Sequence, residues 1–152
     1  MLASFLLGLV GGQRSMTPLA AVALAAANGR LPRGRAAPAF LRTDAAAGGA
    51  LMLALAEMAG DKMKGAPDRI VPAGLAARAV MTGFAAGCAA PRGRFWQGAA
   101  LGGVTAVAAS YPGWRARIAA MKRHGQTDTG LVEDALVIAG AAAIMGAIGR
   151  AG

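Results

Sequence analysis

Gly11-Gly12-Gln13-Arg14-Ser15-Met16-Thr17-Pro18 interrupts the first apolar stretch of this chain. Apolar runs flank it on both sides, Leu2 to Val10 and Leu19 to Ala27. A helix needs ~20 residues at ~1.5 Å each to cross a bilayer, and each run is about half that length. Joined, they are long enough, and the glycines, the guanidinium and the hydroxyls then fall at the depth where charge is most costly. An ionisable side chain at a helix break inside a membrane is read first as a functional site. The stretch forms either one broken crossing or a re-entrant hairpin, and both place Arg14 within the membrane.

Composition supports that setting. The 152 residues are 56% hydrophobic and only 15% charged, where a soluble domain carries ~25% charge. Mean hydropathy is +0.49. Abundant alanine and 23 glycines suit helices that pack closely in lipid better than a water-soluble core built on large side chains. The expected fold is a single all-α integral membrane domain over residues 1–152, with about five membrane segments. The net charge of +9 invites a nucleic-acid reading, which the distribution of charge rejects. Such a binder gathers its cations on one face of a soluble fold. Here most of them sit between apolar segments, the pattern of membrane loops that also favours anionic headgroups.

Cys88 is the sole cysteine, so no intrachain disulfide forms, and it reads as a small core residue. Met1 to Gly12 mimics a signal peptide, and Ala25-Ala26-Ala27-Asn28 mimics a cleavage region. No basic residues precede the apolar run and Arg14 interrupts it, so the segment reads as mature structure.

Outward from the break, segment one covers about residues 2–28, with Thr17-Pro18 as a helix start and Asn28-Gly29 as a stop. Segment two covers about 45–63 and places Glu57 ~20 Å in from Asp44. Segment three covers about 67–90, opens on Pro67-Asp68 and carries Arg78 near its centre. Segment four begins at Phe95-Trp96. Trp96 and Trp114 lie ~27 Å apart on a straight helix, near the ~30 Å hydrocarbon thickness. The basic run to Arg123 extends that helix along or past the surface. Segment five covers about 130–150, with Glu133 and Asp134 in its first turn.

With five crossings the loop cations split evenly. Lys62, Lys64, Arg69, Arg115, Arg117, Lys122 and Arg123 face Arg30, Arg33, Arg35, Arg42, Arg92, Arg94 and Arg150. A re-entrant segment two would skew the split in the way the positive-inside rule prefers, so orientation stays open. Gly8 to Gly12 resembles Gly98 to Gly103, and each leads to a proline and then to a helix bearing acids. That faint repetition suggests an inverted repeat with segment three as linker, an architecture common in transporters.

The order of motifs resembles the DUF-four-one-two-six family of bacterial inner-membrane proteins. The matching pieces are Gly12-Gln13-Arg14-Ser15 with Pro18, Glu57-Met58-Ala59-Gly60-Asp61-Lys62, Pro72-Ala73-Gly74, and Glu133-Asp134. They cover most of the chain, and the Glu-x-x-x-Asp-Lys block after an early Gly-x-Arg is the most specific. The chain departs from the family at Met63-Lys64, where a proline is usual, and at Ser110-Tyr111, where a histidine is frequent. The resemblance implies a multi-pass inner-membrane protein and no established activity.

Arg14, Ser15 and Thr17, at the mouth of the second half-helix, supply donors for an anion. Alternatively Arg14 pairs with Glu57 or Asp61 and only locks helices together, since a buried charge needs a partner either way. Glu57 and Asp61 are four apart on one helix face, placed to share a proton or bind a cation, or else neutralised by Lys62, Lys64 or Arg14. Lys62, Arg78, Glu133 and Asp134 are supporting charges, the last two also suited to the positive end of a helix dipole. Gly8/Gly12, Gly83/Gly87 and Gly98/Gly102 read as close helix contacts. His124 is the only histidine and no nucleophile, metal or phosphate motif accompanies it, so neither an enzyme nor a cofactor is expected. The leading expectation is a small transporter or channel-like protein for an anionic solute or lipid headgroup that Arg14, Ser15 and Thr17 contact, with Glu57 and Asp61 supplying counter-charge or carrying a coupling proton, as a homodimer or with internal two-fold symmetry. The rival is a membrane assembly or scaffold module whose buried charges are structural.

Overall fold

The structure is a computed structural model that describes residues 1–61 and 70–151. All regular elements are helical: α1 (Leu2–Gly11), α2 (Met16–Ala27), a short 3-10 turn (Ala39–Arg42), α3 (Asp44–Gly60), α4 (Pro72–Ala89), α5 (Phe95–His124) and α6 (Gln126–Arg150). Lys62 and the Pro67-Asp68 helix start lie outside the described residues.

The broken first segment is a helical hairpin. α1 stops at Gly11, the chain turns through residues 12–15, and α2 returns. The two ends of the hairpin meet the same end of the bundle. Ser4 near the start of α1 donates to Ala86 O, while Ala36, beyond α2, donates its amide to Ala90 O four residues further along the same region. α6 tracks the return: Asp134 meets Arg14, Gly140 lies against Val10, and Gly149 lies against Arg30 O. Arg14 is therefore at the tip of a hairpin whose arms span ~15–18 Å.

Glycine lets the first arm of the hairpin pack closely on its neighbours. A Cβ on Gly8 would stand 2.5 Å from Thr105 Cβ, and one on Gly12 would stand 2.6 Å from Ala109 Cβ. One on Gly98 would stand 2.6 Å from Ala90 Cβ, and one on Gly87 2.8 Å from the Phe95 ring. The four-spaced glycines thus bring α1, α4 and α5 to near backbone contact within one chain, the packing that small residues permit. The numbering rises together across the α1–α5 contact: Ser4 with Gly98, Gly8 with Gly102, Gly12 with Ala109. These helices run parallel, so the inverted repeat expected from their glycine motifs is absent; an inverted pair would run antiparallel. The likeness of the two motifs reflects a shared packing need.

Two boundaries differ from expectation. α2 begins at Met16 with Ser15 in the capping position, and Thr17 is inside the first turn. α6 begins at Gln126, so Glu133 and Asp134 lie about two turns in and do not serve its dipole. The stop at Asn28-Gly29 forms as expected, with Gly29 at φ +69 and the amides of Arg30 and Leu31 donating to Ala25 O at 2.8 and 2.9 Å. Thr43 caps α3 by accepting from the Ala46 amide at 3.2 Å. α5 continues through Pro112 to His124 without a break.

Apolar side chains point outward as well as inward. α3 buries only Ala47, Ala50, Ala54 and Met58, while Met52 is 66% exposed and Leu53 and Leu55 are half exposed. On α6, Leu136 is 69% and Val132 62% exposed. Among the described residues one helix, α6, is long and apolar enough to cross a membrane.

Candidate functional site

Five chain segments converge on the hairpin tip. Arg14 is 1% exposed, the largest fully buried side chain of the described molecule. Its Nη1 lies 2.6 Å from Asp61 Oδ2, Nη2 lies 2.7 Å from Asp134 Oδ1, and Nε donates to the same Asp134 oxygen at 2.8 Å. Arg117, from the basic extension of α5, closes the other side. Its Nη2 lies 2.7 Å from Asp61 Oδ2 and its Nη1 donates to Glu133 Oε2 at 2.5 Å. Two guanidiniums thus share the Asp61 carboxylate and grip the adjacent acids of α6, one each. Charge-assisted bonds of this kind are among the strongest a protein makes. Four of the chain's seven acids lie in this one region: Glu57, Asp61, Glu133 and Asp134.

Glu57 does a separate task. Its Oε1 accepts from the Ser15 amide at 2.9 Å and the Ser15 hydroxyl at 2.8 Å, and its Oε2 accepts from the Met16 amide at 2.9 Å. The first amides of a helix are unpaired and carry partial positive charge. A carboxylate from α3 therefore fills the anion position at the start of α2. The donors read from sequence are real donors, and an anion belonging to the protein holds them. Thr17 is buried in the same first turn and takes no part in this clasp.

Asp61 sits at the C-cap of α3, where the helix dipole disfavours a carboxylate. The two arginines offset that cost. Arg117 and Gln126 also donate to Asp61 O, at 3.4 and 3.3 Å, satisfying a terminal carbonyl of α3. Arg78 is buried on α4, one turn beyond the contact of Thr82 with Gly11, the same side of that contact on which Arg14 lies. The structure therefore brings Arg14, Ser15, Glu57, Asp61, Glu133 and Asp134 together, and leaves Thr17 beside them.

The sequence reading missed Arg117, counting it among loop cations. A signal was present. Gly98, Gly102, Ala106, Ser110, Gly113 and Arg117 recur every three to four residues and form one face of α5. Ser110 on that face donates to Gly12 O, and Gly113 abuts the Gln13 amide group. A face that touches the hairpin for four turns must carry its next residue to the hairpin tip. Compared with protein families, curated proteins and solved structures, the chain matches none.

Proposed function

We propose that this chain is a multi-pass protein of the bacterial inner membrane, a small transporter or channel-like protein for an anionic solute or lipid headgroup. In this reading α1–α2 is a re-entrant hairpin, and α3 to α6 cross. The outward apolar residues of α3 and α6 support it, since lipid is the solvent that tolerates them. The observation that carries the reading is the Glu57 clasp. The start of α2 is built to hold a carboxylate beside a buried arginine, and the group now there is tethered and displaceable. The arrangement represents a closed state. Withdrawal of the Glu57 carboxylate opens the clasp and admits an external anion to Ser15, Met16 and Arg14.

A second reading is favoured by the burial of Arg14 and the mutual pairing around it: a scaffold module whose charges only lock helices. Glu57→Gln in folded protein separates the two. The substitution keeps the shape and removes the charge, so the transport reading expects flux of chloride, phosphate or acetate in proteoliposomes to rise. Folded Glu57→Gln and wild-type protein that both leave all three anions untransported and unbound would leave only the scaffold.

A further inference from the structure

A groove with a volume of about 810 Å³ runs along the outside of α2, within the ~300–1,000 Å³ range of small-molecule sites. We infer that it holds one acyl chain of an anionic phospholipid from the surrounding bilayer, with the phosphate seated among Arg30, Arg33 and Arg150. The inference rests on the membrane setting and not on anion transport at Arg14, which the groove does not reach.

The shape comes from small residues. α2 forms the floor, with the small side chains of Ala20 and Ala21 lining it, and α3 and α6 form the walls without a packing interface of their own. The lining is mostly apolar from Thr17 and Met58 at the inner end to the loop after α2 at the outer end, and among the described residues no acid lines it. From Thr17 to Ala27 the floor measures ~15 Å, which is half of the ~30 Å hydrocarbon thickness and therefore one leaflet.

The outer end is cationic and held in place. Arg30, Arg33 and Arg150 are exposed and line the groove, and no ion pair among the described residues engages them. Arg150 Nη1 lies 3.6 Å from the position of a Cβ on Gly146, so its guanidinium folds back over the groove. Arg42 donates to Leu31 O at 3.1 Å and to Pro32 O at 3.4 Å, pinning the backbone between Arg30 and Arg33. A site ordered before binding loses little entropy when the ligand arrives. Guanidiniums pair with phosphate oxygens in planar forks, and basic pockets between membrane helices bind anionic headgroups. An apolar slot one leaflet deep with arginines at its interfacial end fits a phospholipid and not a free anion.

The test is lipid retention. Wild-type protein is reconstituted in nanodiscs of equal phosphatidylglycerol and phosphatidylcholine, extracted in mild detergent, and its bound lipid measured by native mass spectrometry. Phosphatidylglycerol should be retained over phosphatidylcholine by about tenfold or more. The triple variant Arg30→Gln, Arg33→Gln, Arg150→Gln should lose that preference. Ala142→Phe, at an exposed position in the groove, should lower retention with the arginines intact. All altered positions are exposed, and circular dichroism checks that each variant folds. Equal retention of the two lipids would overturn the inference. So would full retention in Ala142→Phe, which would reduce the arginines to general surface charge. Thermal stabilisation by inorganic phosphate equal to that by phosphatidylglycerol would also overturn it, as would a dimer that Ala142→Phe dissociates, since a second copy would then fill the groove.

Discussion

Arg14 shows how one side chain sets the terms for its surroundings. A buried guanidinium without partners is untenable, and Asp61 and Asp134 both lie within 2.7 Å of it. Removing one member of such a group leaves the others buried and uncompensated, which costs about 3–5 kcal/mol. Arg14→Gln should therefore lower stability by about that amount in denaturant titration of detergent-solubilised protein. Combining it with Asp134→Asn should recover part of the loss, because the two effects share one interaction. A loss unchanged by the second substitution would mean that the pair is not coupled. Glu57 is a helix cap in charged form, holding three donors. Glu57→Ala should cost about 2 kcal/mol by the same titration, near the upper range for a lost cap. Arg117→Ala should be nearly as damaging as Arg14→Gln, whereas Arg115→Ala, an exposed neighbour two residues away, should be close to neutral.

At the scale of elements, glycine decides which helices touch. A Cβ on Gly102 collides with Ala86 Cβ and comes 3.3 Å from Ser4 O, so Gly102→Ala has to push α4 or α1 away from α5. Overpacking of this kind costs about 1–3 kcal/mol. Gly48 and Gly49 are also mid-helix, yet nothing stands within 4 Å of a Cβ on either. Gly49→Ala should stabilise α3 by up to about 1 kcal/mol through helix propensity alone. Melting temperatures of these two variants should move in opposite directions. The same substitution in two helices thus tests whether contact or propensity governs each site.

For the whole molecule, the hairpin fixes how the chain is laid out. α1 begins and α2 ends at the same end of the bundle, and α3 to α6 then run alternately. The start of α1, residues 28–43, residues 90–94 and Arg150 share that end, while the α5–α6 turn at Gly125 is at the other. Arg117 leaves the loop cations for the buried cluster, which changes the expected division only to six against seven, so charge still does not choose an orientation. In the membrane setting, single cysteines at Arg33 and Arg92 should react with an impermeant reagent from one side of sealed vesicles, and one at Lys122 from the other. Cys88 is fully buried and leaves the background silent. Labelling of Arg33→Cys and Lys122→Cys from the same side would rule out the alternating arrangement.

Helix existence, the stop at Asn28-Gly29, the close-packing glycines and the importance of Arg14 were all written in local pattern. Each follows from periodicity, backbone freedom or the cost of a lone charge among apolar residues. Local pattern left open whether residues 2–28 cross or turn back, because both arrangements bury the same residues. It misplaced Glu133 and Asp134 as dipole partners and Arg117 as a loop cation, because their partners lie 16 or more residues away. Ion pairing between distant segments depends on which helices become neighbours. Tertiary packing alone settled that, through the parallel contact of α1 with α5 and the return of α2 beside α3.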